Sequence, residues 1–196
     1  MLWSLARLRG LDLCATDGVV GRISDALFDD TDWTVHFFAV NIGGWLASGK
    51  VVVAATRFGA PDLERGEIPV NQTVEKIRGG ADAMGDIFLR SAREVTGYNV
   101  EANNGEIGEV EDFLIDATGW TVRYLAVNTG GWLAGRQVLV APAWVRDIRW
   151  EDSLVRIDVD RARIEHSPIF DPDAPVERPY EEQLHNHYHR QPYWMG

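Results

Sequence analysis

The sequence predicts an all-β chain: two tandem small β-barrels with short helical turns, followed by a C-terminal tail. Three observations carry that prediction. The chain repeats itself without a gap, its short apolar segments alternate with polar positions, and turn dipeptides punctuate them.

The repeat comes first. Placing residues 17–54 over 104–141, a shift of 87, gives twenty identities in 38 positions. The longest matched run sets Trp33-Thr-Val-His-Phe-Phe-Ala-Val-Asn-Ile-Gly-Gly-Trp-Leu-Ala47 against Trp120-Thr-Val-Arg-Tyr-Leu-Ala-Val-Asn-Thr-Gly-Gly-Trp-Leu-Ala134. Matching at this density without a gap is duplication. The expected modules are residues 1–82 and 90–170, with the boundary near the glycine-rich joint Gly79–Gly85, a linker at 83–89 and a tail at 171–196.

Each copy reads as strands. Asp17-Gly18 and Asn104-Gly105 are hairpin dipeptides, because asparagine, aspartate and glycine tolerate positive φ. In the second copy, strands are expected over 107–115, 121–128, 138–141 and 144–150. Next, Val155, Ile157 and Val159 alternate with Arg156, Asp158 and Asp160, the signature of a strand with one buried and one wet face. A helical turn is expected at 161–165, ended before Pro168. The first copy carries Gly59, Pro61 and Pro69 at the late strands. Proline lacks the N–H a ladder needs, so irregular pairing is expected there. Many short strands with little helix argue for barrels that close their own edges.

These motifs resemble the PRC-barrel family. The residues that carry the resemblance are the Asp/Asn-Gly-x-x-Gly hairpins (Asp17 to Gly21, Asn104 to Gly108), the acidic strand ends Asp29 and Asp116, and the two Val-Asn-x-Gly-Gly-Trp-Leu segments. The family includes the cytoplasmic domain of the photosynthetic reaction centre H subunit and the C-terminal domain of a ribosome maturation factor. The resemblance implies small barrels used as docking modules on larger assemblies. This sequence has neither the H subunit's membrane helix nor an RNA-associated domain ahead of the barrel. It is most similar to soluble tandem bacterial members.

Composition narrows the partners. A net charge of −11 repels phosphate backbones and anionic lipid, so neither nucleic acid nor membrane insertion is expected. One cysteine, Cys14, precludes an internal disulfide and suits the cytoplasm. The first nine residues lack the apolar core and cleavage site of a signal peptide. The expectation is a non-catalytic cytoplasmic adapter or scaffold that binds a protein partner and uses no cofactor. A homodimer is one expected assembly, since aromatic-rich barrel surfaces gain by burial.

The candidate binding residues are Trp45 and Trp132, each following a double glycine, and Tyr188, Tyr193 and Trp194 in the tail. Tyr180, Leu184 and Tyr188 fall on one stripe of a short helix, which predicts that the tail docks on a barrel. The alternative function is binding of a metal or small ligand. His185, His187 and His189 alternate: on a strand they share a face, on a helix only His185 and His189 at i and i+4 do, and either geometry suits zinc, nickel or copper. Asp25, Asp112, Asp29 and Asp116 recur in both copies as possible acid–base or cation-binding carboxylates, although aspartate at turns commonly bonds local amides. Cys14 has no histidine placed beside it by any motif, and no nucleophile or phosphate-loop motif occurs, so no catalytic residue is expected.

Overall fold

The structure, a computed structural model, describes residues 1–44, 47–79 and 88–195; for Gly44, Ala47, Ser48 and Trp132 it describes the backbone only. The chain is mostly β, with a few short helices. Its elements in order are β1 (Leu2–Ser4), α1 (Leu5–Gly10), β2 (Asp12–Ala15), β3 (Gly18–Phe28), β4 (Val35–Gly44), β5 (Ala47–Ala54), β6 (Glu67–Pro69), α2 (Val74–Arg78), β7 (Arg90–Ser91) and α3 (Ala92–Val95). Then follow β8 (Asn99–Ala102), β9 (Gly105–Asp116), β10 (Thr121–Asn128), β11 (Gln137–Val140), β12 (Val145–Arg149), β13 (Leu154–Ile157), α4 (Arg161–Glu165) and α5 (Arg178–Tyr188).

Two mixed sheets result. One runs β5-β4-β3-β2-β6 with β7 on β3; the other runs β11-β10-β9-β8-β13-β12 with β1 on β9. Neither sheet closes among the described residues, which corrects the expectation of two closed barrels. In the second sheet, the edges are β11 and β12, and the chain between them turns through a 3-10 segment, Pro142–Trp144. Pro142 has no N–H to offer a ladder, so strand pairing stops there. The sheets are also not purely antiparallel. β2 pairs parallel with β6 and β8 parallel with β13.

Pairing register recurs at the repeat's own spacing. Asp12 faces Glu67 and Cys14 faces Pro69; 87 residues on, Asn99 faces Leu154 and Glu101 faces Arg156. Leu13 faces Gly21 as Val100 faces Gly108. The pair β12–β13 is a ladder in the second copy. In the first copy it shrinks to the bridges Phe58–Val70 and Asp62–Glu67, in the region of Pro61 and Pro69. Glycine at 21 and 108 is forced by close approach: an added Cβ would lie 1.9 Å from the carbonyl oxygen of Asn41 or of Asn128.

The hairpins form where the dipeptides place them, one residue out of phase. Ala15 pairs with Gly18 and Ala102 with Gly105, so the turn residues are Thr16-Asp17 and Asn103-Asn104. The glycine opens the next strand (Gly105 φ +137°), and that same strand carries an extra residue, Ile107, where the register shifts.

Two compact units emerge. The N-terminal unit contains Trp3–Glu94 and Ile115–Val122. Leu8, Leu13, Phe28, Phe38, Ile68 and Ile77 are fully buried in it. The turn residue Trp120 packs edge-on against Phe38 at 5.0 Å and Phe58 at 5.9 Å. Trp33 (φ 62°) and Trp120 (φ 51°) both adopt left-handed backbone, and both are buried. Such strain on a bulky residue persists only where packing fixes it. The C-terminal unit holds Met1–Leu2, Val95–Leu114 and Arg123–Gly196. Its core includes Val100, Ile107, Phe113, Tyr124, Leu125, Trp144, Val155 and Ile157, so the predicted alternation across 155–159 is the buried face. Among the described residues, no helix is long and apolar enough to cross a membrane.

Candidate functional site

The densest polar chemistry lies under the tail, within the C-terminal unit. Helix α5 starts with Pro179 in its first turn, where the missing N–H costs nothing, and with Glu181 at the positive end of the helix. It ends at His189 in the left-handed region (φ 52°), with the His189 N–H donated to carbonyls of the last turn. Its buried face is Glu181, Leu184, His185 and Tyr188, spaced i, i+3, i+4, i+7. Leu184 and Tyr188 lie on this face as the stripe predicts, while Tyr180 stands half-buried at its edge and donates its hydroxyl to the Pro168 carbonyl (3.4 Å). Burying each large apolar side chain contributes about 1.5–3 kcal/mol.

Tyr124 of β10 is the hub. Its Oη donates to Glu181 Oε1 at 3.1 Å and stands 3.0 Å from His185 Nε2. Tyr193 Oη donates to the same Glu181 oxygen at 3.0 Å, and Arg178 Nη1 lies 3.2 Å from Oε2. Glu181, 3% exposed, is therefore a buried carboxylate held by two hydroxyls and one guanidinium. With the Tyr124 hydroxyl donating to Glu181, the imidazole tautomer that completes the chain carries its proton on Nε2, toward the Tyr124 oxygen, rather than on Nδ1. That Nδ1 is buried and has no hydrogen-bond partner.

Aromatic rings close the site. The His185 ring sits 5.3 Å from Trp144 and 5.4 Å from Trp194, and Tyr188 lies 4.5 Å from Trp144. Arg178 stacks 3.7 Å over Trp194, and Arg123 lies 4.1 Å over Tyr193. These surroundings fix charge states. Burial, reinforced by the Glu181 carboxylate, pushes the Tyr124 and Tyr193 hydroxyls up. Burial raises Tyr188 to about 12, and burial with the Arg178 charge lowers His185. Tyr124 and Tyr193 are neutral donors, and the histidine is held neutral. A Tyr–Glu–His group of this kind could exchange protons, but with α5 docked its members are buried and bonded to one another.

The other sequence candidates fall as follows. Trp45 lies outside the described residues, and so does the side chain of Trp132. Tyr188, Tyr193 and Trp194 join the cluster just described. The three tail histidines do not converge. His185 is in the cluster, His187 Nε2 bonds the Arg163 carbonyl at 2.7 Å, and His189 is exposed at the helix end. The alternating spacing fails as a shared face because the segment is helix, where i and i+2 point apart. Among the described residues, the trio of ligand type within coordinating reach is Asp29, Asp32 and His36, with ligand atoms within 4.8 Å of one another.

The recurrent aspartates serve backbone. Asp25 accepts from the N–H groups of Ala26 and Arg93 and from Ser91 Oγ at 2.6 Å, tying α3 to β3. Asp112 accepts from Phe113 N, Asp29 from Thr31 N and Asp116 from Thr118 N. Cys14 donates its thiol to Glu67 (3.4 Å).

Sequence reasoning missed Tyr124, Trp144, Arg178 and Glu181. Tyr124 and Trp144 both read as ordinary strand positions, and Glu181 as surface charge. The one available signal was that Glu181 shares the i, i+3, i+7 phase of Leu184 and Tyr188.

An open cleft of about 840 Å³ lies in the N-terminal unit, lined by Asp12, Val19, Arg22, Asn41, Ile42 and Lys50 among others. Register places Asp12, Arg22, Asn41 and Lys50 in one row across β2, β3, β4 and β5. Val19 is 58% exposed beside them.

Comparison with protein families assigns the second repeat. Residues 89–164 match the family model of the PRC-barrel domain, so the chain carries one PRC-barrel domain there. No curated protein matches the chain.

Proposed function

We propose that residues 1–82 form a second PRC-type module, and that the tandem pair is a non-catalytic cytoplasmic adapter that binds a protein partner through its N-terminal unit. The duplication supports the first half: strand partners in the first copy recur 87 residues later with the same register. One open surface carries the second half, at positions not equivalent to those under the tail. On the C-terminal unit, Tyr124 and Trp144 lie beneath the chain's own tail. On the N-terminal unit, the cleft beside Arg22 and Lys50 stays open. Arg22 is already paired with Asp12 at 2.8 Å, so the cleft offers mixed charge and an exposed valine, a surface suited to a protein rather than to a simple anion.

The test is cross-linked capture from native extract with the full chain and with an Arg22→Glu/Lys50→Glu variant, followed by binding of the purified partner. One partner held by the wild-type chain and lost by an equally stable variant supports the reading. Equal capture by both, or capture of nothing, refutes it.

A second reading, cation binding, has one observation in its favour, the trio of Asp29, Asp32 and His36. Zinc raising the melting temperature of the wild-type chain but not of His36→Ala would support it. No shift on adding zinc or EDTA would end it.

A further inference from the structure

We propose that α5 with the turn Tyr193–Met195 is a displaceable internal ligand, seated in a groove of the C-terminal unit that also accepts the same tail from a second copy of this chain. The inference rests on the docking geometry and is independent of the adapter reading.

The groove is specific to this unit. Its floor is Tyr124 and Trp144, and at its margin Arg163 donates to the Tyr188 carbonyl at 3.2 Å. At the spacing of the repeat, these positions in the first copy are Phe37, Arg57 and Lys76. The large indole that receives Tyr188 is replaced there by a guanidinium. The tail is thus matched to one groove in the chain, by an aromatic anchor and a buried carboxylate that needs the Tyr124 hydroxyl.

The tether favours exchange. Residues 171–177 are exposed except for half-buried Val176, and the segment turns locally, with Asp171 accepting from the N–H groups of Asp173 and Ala174. Seven residues reach at most about 23–25 Å when extended. The docked face is also partly polar. Glu181 and His185 are buried, and His185 Nδ1 lacks a partner. An undocked tail regains water at those groups, which lowers the barrier to letting go. Amphipathic helices seated in grooves by a few anchors are a general recognition mode, and a tethered one competes with any free copy at an effective concentration of about 1 mM. For a free tail binding at about 10 μM, the tethered tail weakens apparent affinity by about 100-fold.

The test uses a fluorescent peptide of residues 176–195 with two full-length chains, the wild type and the tail-released Leu184→Asp/Tyr188→Asp. Expected is micromolar binding to the released chain and binding about 100-fold weaker to the wild type. A folded released chain that ignores the peptide, or equal affinity for both chains, overturns the proposal. Should the released chain not fold, hydrogen exchange on the wild type decides. About 1 mM peptide should speed exchange of the chain's own α5 amides about 50-fold while β10 stays protected; unchanged α5 exchange overturns the proposal.

Discussion

Replacing Tyr124 with phenylalanine isolates the hydroxyl that joins the tail to the sheet. The ring stays, so packing against His185 and Tyr193 is conserved and no cavity opens. What is lost is the donor to Glu181 at 3.1 Å and the partner of His185 Nε2 at 3.0 Å. Glu181 keeps Tyr193 and Arg178, whereas His185 is left buried with neither ring nitrogen satisfied by a side chain. Leaving one buried polar group unpaired costs about 1–3 kcal/mol. At about 1.4 kcal/mol per factor of ten, the tail should open about 5- to 150-fold more often. Native-state hydrogen exchange reads this directly. The amides of α5 should lose that much protection while those of β8 and β10 keep theirs. Protection of α5 unchanged within about twofold would refute the role of the hydroxyl. Equal loss in α5 and β10 would refute the view that the tail opens on its own.

Three further outcomes are expected. Because burial lowers the His185 pKa, the undocked chain takes up a proton more readily than the docked one. Docking is therefore strongest above about pH 6.5, the ordinary histidine value, and weakens as pH falls below it; α5 protection measured at pH 7.5 and 5.5 checks this, and His185→Gln should flatten the difference. Gly108→Ala puts a Cβ 1.9 Å from the Asn128 carbonyl oxygen, so β9 and β10 must part; a loss of about 1–3 kcal/mol in urea unfolding is expected, and Gly21→Ala should do the same against Asn41. Burial, then the hydrogen bond and charge of Glu67, raise the Cys14 thiol, so iodoacetamide at pH 7.5 should react more slowly than with a free cysteine, and Glu67→Gln should speed it; equal rates would refute the contact.

Local signals told most of the fold: the hairpin dipeptides, which recur in both copies, the alternation across Val155–Val159 in the second copy, and the prolines that weaken the first copy's late strands. What it hid is non-local. The parallel pairs, Asp12 with Glu67 and Asn99 with Leu154, lie 55 residues apart in sequence and have no turn to announce them. Barrel closure was inferred from strand count, and strand count does not say where Pro142 interrupts a ladder. The tail's helical stripe was legible from Leu184 and Tyr188. Its receptor was not, since Tyr124 carries the same alternation as Val122 and Ala126, and a buried Glu181 looks like any charged helix residue until the hydroxyls around it are placed. The histidines misled for a related reason: an alternating trio suggests one face only if the segment is extended, and Pro179 with the Leu184–Tyr188 spacing makes it helix.

The central claim is that the C-terminal unit is filled by its own tail. Nuclear Overhauser spectra of the full chain at low concentration test it most directly. The account predicts cross-peaks from the Trp144 indole to the Tyr188 ring, whose centroids lie 4.5 Å apart, and from Trp194 to His185 at 5.4 Å. Sharp, random-coil signals for residues 180–194 with no such cross-peaks would contradict it.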